Sequence, residues 1–141
     1  MSSASIEQEF RAFLARRQEA TAAFFNGDPA PWKAQATQSD AITMFGGFGG
    51  YERGWAAVDD RYTWAAAANA EGAVQVELIA CHVTADLAYT VAIERGSVRP
   101  SGGQEFAPKA LRVTEIFRRE GADWKLIHRH ADPLVTVQQR R

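Results

Sequence analysis

The sequence predicts an α+β fold in which a cone-shaped, curved antiparallel sheet wraps around helices from the N-terminal part of the chain. Three observations predict it. Helical spacing of apolar residues dominates the stretch before Asn69, and strand patterns follow it: Ala73 to Val83 is apolar on both parities, as expected of a strand in the middle of a sheet, and alternation marks the closing hairpin. Helices followed by a run of strands is the order of an α+β domain rather than of repeated βαβ units. The last stretch, LRVTEIFRREGADWKLIHRHADP from Leu111 to Pro133, sets two alternating runs on either side of a charged turn containing Gly121, which is the pattern of a hairpin.

Taken in order, Ser5 to Phe25 reads as a long amphipathic helix. Ile6, Phe10, Phe13, Leu14, Arg17 and Phe24 share one side. Ser5 with Gln8 makes a capping pair at its start, and Asn26-Gly27 stops it because both residues tolerate the left-handed conformation. Asp28 and Pro29 then open a short helix through Trp32 to Ala36. A short strand covers Ala41 to Phe45. The glycine-rich loop Gly46 to Gly50 lacks the lysine and hydroxyl residue of a phosphate cradle, so it reads as a sharp bend with Phe48 tucked inward. From Gly54 to Ala68 a further helix buries Trp55, Val58, Tyr62 and Ala65 or Ala66, and Asn69 and Gly72 end it. Ala73–Val83 and Leu87–Val98 are long strands joined by Thr84-Ala85-Asp86. The stretch RGSVRPSGG reads as a loose loop before the next strand starts near Phe106 or Lys109.

The final hairpin carries the candidate chemistry. With a five-residue turn from Arg119 to Asp123, Arg118 opposes Trp124, Ile116 opposes Leu126, Thr114 opposes His128 and Arg112 opposes His130. Opposed residues point to the same side, so this register gathers Arg112, Thr114, His128 and His130 above an apolar floor of Ile116 and Leu126. A slip of one residue would send one strand's side chains to the other face. A curved sheet plugged by helices leaves a conical space, a common ligand site. Within it, His128, His130, Arg112 and Glu94 are the candidate catalytic residues. A histidine titrates near neutral pH, a carboxylate orients it, and an arginine stabilises a developing anion. Thr114, Phe45, Trp55, Tyr62 and Trp32 are the candidate substrate contacts, their apolar walls suiting a cyclic or aromatic molecule. The same groups also suit plain anion binding. A metal site built from the two histidines with His82 or Glu94 is the weakest reading, and no metal or other cofactor is expected. His130 and Arg112 pairing with Asp132 or Glu94 merely to satisfy polar groups is as good a reading as catalysis.

Composition narrows the rest. The chain has 141 residues, 46% of them hydrophobic and 23% charged, with a formal net charge of −1. A chain of this size is expected to form one domain over residues 1–141, burying about 68–70% of its unfolded surface. That charge balance argues against a broad grip on nucleic acid, and Arg140 and Arg141 read as a solvated tail. No stretch is long and apolar enough to span a bilayer, and the acidic, amphipathic start lacks a signal-peptide layout. The single cysteine, Cys81, excludes an internal disulfide framework; a buried inert thiol in a cytoplasmic protein is the expectation.

The first helix, SDAITMF, RGWAAVDDRY, ADLAYTVAIE and above all RVTEIFRREGADWKLIHRHADP resemble the SnoaL-like branch of the nuclear-transport-factor-2-like superfamily. That group also includes ketosteroid isomerase, scytalone dehydratase and the association domain of calcium/calmodulin-dependent kinase. The resemblance covers nearly the whole chain and implies the cystatin-like cone. It specifies fold better than function. Ketosteroid isomerase carries an aspartate base where this chain has Phe45, which speaks against steroid isomerisation. Its oxyanion-donating acid has Glu115 as nearest counterpart, and the register above turns that residue away from the cluster. Glu94, Thr114 and His128 fall near pocket positions of the kinase association domain, with Arg112 and Arg129 close by. His128, His130, Tyr62 and Tyr51 echo the histidines and tyrosines of scytalone dehydratase. The expectation is therefore a small-molecule-binding protein acting by acid–base chemistry as an isomerase, dehydratase or cyclase; the alternative is a non-catalytic ligand-binding or assembly module. A homodimer is implied through the outer sheet face, where Val113, Phe117, Ile127, Tyr89, Val91 and Ile93 would lie.

Overall fold

The computed structural model describes residues 2–139; Arg140 and Arg141 lie outside the described residues. Helix α1 (Ser3–Phe25) begins earlier than its sequence pattern suggests, because Ser2 rather than Ser5 is the cap: its Oγ accepts the Ser5 N–H at 3.1 Å. The helix buries Ile6, Phe10, Phe13, Arg17, Ala20, Thr21, Phe24 and Phe25. Asn26 closes it, and its amide nitrogen also donates to the Gly72 carbonyl at 2.9 Å, tying the helix end to the sheet. Helix α2 (Ala30–Ala34) follows at once, the Asp28 carboxylate accepting the Ala30 N–H at 3.0 Å.

Six strands form one sheet. They are β1 (Thr43–Phe45), β2 (Glu52–Arg53), β3 (Asn69–Val83), β4 (Leu87–Pro100), β5 (Ala107–Glu120) and β6 (Asp123–Pro133), in the order β2-β1-β6-β5-β4-β3. Helix α3 (Trp55–Ala67) leads directly into β3. The short β2 was not legible in the sequence, β3 lies at the sheet edge rather than in its middle, and β1 runs parallel to β6 while the other strand pairs among the described residues are antiparallel. Strand β4 runs to Pro100, two residues past the expected end at Val98, and Gly96 lies within it. A Cβ there would lie 1.8 Å from the Ala73 carbonyl oxygen, so this glycine permits β3 and β4 to cross closely.

The helices pack on one face of the sheet. Near the hairpin tip Phe10 and Phe13 meet Phe117, Trp124 and Leu126; the Phe10 and Trp124 rings stand edge-on, 5.1 Å apart. Toward the other end Phe24, Phe25, Trp32, Val58 and Tyr62 meet Ile42, Met44, Leu111 and Val113.

The closing hairpin departs from the expected register. Its turn is the two-residue Gly121-Ala122, with Gly121 at φ 64°, so Glu120 pairs with Asp123 and Phe117 with Leu126. A bulge at Ile127 then shifts the pairing, so that Ile116 opposes His128, Glu115 opposes Arg129 and Thr114 opposes His130. Leu126 therefore points to the helices, but His128 and His130 point away from them. Val113 and Phe117, expected on the outer face, are core residues; Ile116 takes their place outside beside Tyr89, Val91 and Ile93.

Candidate functional site

The side chains that do meet inside are the odd-numbered residues of β5, together with Arg129, Glu94 and α1. Lys109, Leu111, Val113, Glu115 and Phe117 share the inner parity of β5, and the Ile127 bulge gives Arg129 the inner parity of β6. Helical spacing brings Arg17 to the same place. Arg129 donates from Nη1 and Nη2 to the two Glu94 carboxylate oxygens, each at 2.8 Å, and from Nη1 to Glu115 Oε2 at 3.0 Å. Arg17 donates to both Glu115 oxygens and, from Nη1, to Gln35 Oε1 at 3.2 Å. All four charged side chains are buried, and the two carboxylates balance the two guanidiniums.

Trp32 is the aromatic plate of this network. The Arg17 and Arg129 guanidinium carbons lie 4.9 and 4.6 Å from its ring centre, Phe24 stacks on it at 3.9 Å, and its indole N–H donates to Thr21 Oγ1 at 3.1 Å. Burial alone pushes the Glu115 carboxyl up, but Arg17 and Arg129 outweigh it and hold it at about 2. Burial works against the Arg129 charge too, and Glu94 with Glu115 overcomes it and raises its pKa.

Two hollows flank the network. One lies between the outer side of α1 and strands β3 to β5, with Thr90, Glu94 and Glu115 on its lining. The other opens between α1, α3 and the β1 end of the sheet, a small cavity of about 50 Å³ that is partly open to solvent. Phe24, Phe25, Trp32, Met44, Tyr62 and Leu111 wall it, the loop of Gly46, Gly47 and Phe48 adds to its lining, and Arg61, Lys109 and Arg129 are the charged lining residues among the described residues. The Tyr62 hydroxyl is buried beside Arg17 without completing a hydrogen bond to it, and burial raises its pKa. Lys109 stands 5.3 Å from both the Phe25 and Phe48 ring centres, and burial, then the Arg129 charge, lowers its pKa.

The residues singled out from sequence divide between the two faces. Trp32 and Tyr62 line the second hollow, and Glu94 sits at the base of the first. Trp55 packs against the core beside the second hollow without entering its lining. Arg112, Thr114, His128 and His130 do come together, but on the face turned away from the helices, because the odd-numbered residues of β5 (Leu111, Val113, Glu115 and Phe117) are the ones buried against them. There Arg112 pairs with Asp132 at 2.8 Å, and His130 Nε2 lies 3.5 Å from the same carboxylate. Phe45, expected as a cavity wall, joins them outside, its ring 5.3 Å from both histidines, and Met44 takes the inner place. His128 shares a 2.7 Å hydrogen bond with the Thr43 hydroxyl, and burial followed by the His130 charge lowers its pKa. Phe48 is 55% exposed rather than tucked inward. Arg17, Glu115, Arg129 and Lys109 were missed as a site, although Arg17 falls on the buried stripe of the first helix and Lys109 and Glu115 share the parity of Val113.

No helix among the described residues is long and apolar enough to cross a membrane, and no group of three or more metal-ligating side chains occurs among them.

Comparison with known proteins agrees with this architecture. The chain superimposes on a nuclear transport factor 2-like superfamily protein from Salmonella enterica with a TM-score of 0.80 at 15% identity, covering 97% of this chain and 96% of that one. A candidate calcium/calmodulin-dependent protein kinase type II association domain from Thiobacillus denitrificans gives a TM-score of 0.73 at 24% identity, over 86% and 94% of the two chains. A candidate dehydratase of the same superfamily from Streptomyces avermitilis gives 0.74 at 17% identity, over 92% and 99%. These likenesses establish the fold. No curated protein matches the sequence. The SnoaL-like domain model matches residues 14–136, and the chain belongs to that family.

Proposed function

We propose that the protein binds a small, apolar, ring-containing organic molecule in the hollow walled by Phe24, Phe25, Trp32, Met44, Tyr62 and Leu111. The observation that carries this reading is the state of the groups a base-driven enzyme would use. Glu94 and Glu115 are consumed by two arginines, and His128 and His130 face outward. What the hollow offers instead is aromatic surface with a few polar tips, the usual make-up of a ligand site. Titration of the isotope-labelled protein with neutral aromatic probes such as indole and 2-naphthol tests it by amide chemical-shift mapping. Shifts should centre on Phe24, Tyr62, Ala65 and Leu111. Shifts confined to the outer face around His130, or none at millimolar probe, would refute the assignment.

One observation favours acid–base catalysis as a second reading. The buried Tyr62 hydroxyl has no hydrogen-bond partner, so it is free to donate to a substrate oxygen. Isomerase, dehydratase and cyclase chemistry would each need such a donor, and turnover that disappears in Tyr62→Phe with binding retained would support it.

The outer face suits a second copy of the chain. Tyr89 is 43% exposed and stands opposite Ile116, with Val91 and Ile93 in the next rows. Equilibrium sedimentation should report a homodimer that Tyr89→Glu converts to monomer; a monomeric parent protein at micromolar concentration would count against it.

A further inference from the structure

We propose that the molecule bound in this hollow carries a carboxylate, received by the Lys109 ammonium, with the Tyr62 hydroxyl as a second donor to a ligand oxygen. The inference rests on the reading of the hollow as a ligand site and adds the chemical class of the ligand.

Its basis is an imbalance of charge. Each of the other two cations lining the hollow has a carboxylate: Arg61 meets Glu52 at 2.7 Å, and Arg129 meets Glu94 and Glu115. Lys109 makes no ion pair among the described residues. Its company is the faces of Phe25 and Phe48. Among the described residues neither Asp nor Glu lines the hollow; Glu94 acts on Lys109 only from a distance, and its carboxylate is taken up by Arg129 and opens onto the other cavity. A half-buried ammonium held by two aromatic rings is partly desolvated, and a cation–π contact replaces only part of its hydration.

The Tyr62 hydroxyl adds an independent sign of the same polarity. It is a buried donor in the same lining with no hydrogen bond completed, and of the charged groups acting on it the Arg17 and Arg129 guanidiniums outweigh the Glu115 carboxylate, which is already held by both arginines. A donor left in this way is satisfied by an oxygen brought from outside. The cover of the hollow fits entry of such a ligand. Phe48, which closes over Lys109, sits in a loop whose next two residues, Gly49 and Gly50, both take positive φ, and its own ring is more than half exposed. Withdrawal of Phe48 would uncover the ammonium and open the aromatic walls together.

The test uses the full chain and matched pairs of probes that differ only in charge: phenylacetate against phenylacetamide, and 2-naphthoate against 2-naphthamide, by isothermal titration calorimetry. The carboxylates should bind roughly tenfold or more tighter than the amides, the ratio expected of one charge-assisted hydrogen bond. Lys109→Met should abolish that preference and leave amide binding in place, and Lys109→Arg should restore it; thermal melts confirm that each variant folds. Tyr62→Phe should weaken carboxylate and amide together, because both bring an acceptor oxygen. Equal affinity for both members of each pair would overturn the carboxylate inference and leave the ligand site standing. A preference that survives Lys109→Met would show that the charge is read elsewhere. Failure of all four probes to bind would overturn the ligand site and this inference with it.

Discussion

Glu115 and Arg129 are partners across the final hairpin, and Arg129 Nη1 donates to Glu115 Oε2 at 3.0 Å with both side chains out of solvent. Arg129 matters more to Glu94 than to Glu115, because Glu115 keeps Arg17 and Glu94 has no other hydrogen-bond partner among the described contacts. Arg129→Met would therefore leave the Glu94 carboxylate buried and unpaired, at a cost of about 3–5 kcal/mol in urea unfolding. Replacing both members, Arg129→Met with Glu94→Met, removes the stranded charge and should recover much of the loss. A single variant that loses under about 1 kcal/mol would show that the pair contributes nothing.

Acid should weaken the same network. Glu115 has a folded pKa of about 2 against an ordinary value of 4.5, so its contribution is complete above the ordinary value and is lost as pH falls through the folded one. In that window the unfolded chain binds the extra proton, and stability rises with pH. Urea midpoints measured between pH 5 and pH 2 should fall steadily for the parent protein. Glu115→Gln should be less stable at pH 5 and show a flatter slope over that range; an unchanged slope would mean that Glu115 is not the titrating group.

The fold was legible because it rests on spacing. The stripe of Ile6, Phe10, Phe13, Arg17 and Phe24 and the alternation in the closing hairpin depend only on neighbours along the chain. The site was not, because it depends on one backbone irregularity. No residue type marks Ile127 as a bulge, yet without it Arg129 would point outward and His128 and His130 inward. Both the five-residue turn assumed for the hairpin and the observed two-residue turn with a bulge put Thr114 and His130 on one face; only inward burial of Val113, Glu115 and Phe117 decides which face it is. Glu115 and Arg129 are also types that sequence reasoning leaves at the surface unless a partner is known, and their partners lie on other strands and on α1.

Two glycines should respond differently to alanine. At Gly96 a Cβ would sit 1.8 Å from the Ala73 carbonyl oxygen and 2.8 Å from Val74 Cα, both backbone contacts that cannot step aside. Gly96→Ala should disrupt the β3–β4 pairing and give a protein that aggregates or melts far below the parent. Gly121, at φ 64° with nothing within 4 Å of the added atom, carries only the conformational strain of the turn. Gly121→Ala should cost about 1–2 kcal/mol and leave the native fold. Similar losses for both would mean that close approach is not the reason for glycine at Gly96.

The outer histidines make a separate, measurable claim. Burial is the first cause lowering the His128 pKa and the neighbouring His130 charge is the second, with Thr43 pulling the other way. A proton nuclear magnetic resonance titration should therefore find His128 below the ordinary 6.5. His130→Asn removes the like charge and keeps a small polar group, so the His128 pKa should rise toward that value while its 2.7 Å hydrogen bond to Thr43 holds the ring in place. The two imidazoles also flank Phe45, each 5.3 Å from its ring, so Phe45→Ala should let water reach both. That relieves the desolvation and again moves His128 upward. A His128 pKa at or above 6.5 in the parent, or one indifferent to both substitutions, would contradict this placement of the two rings.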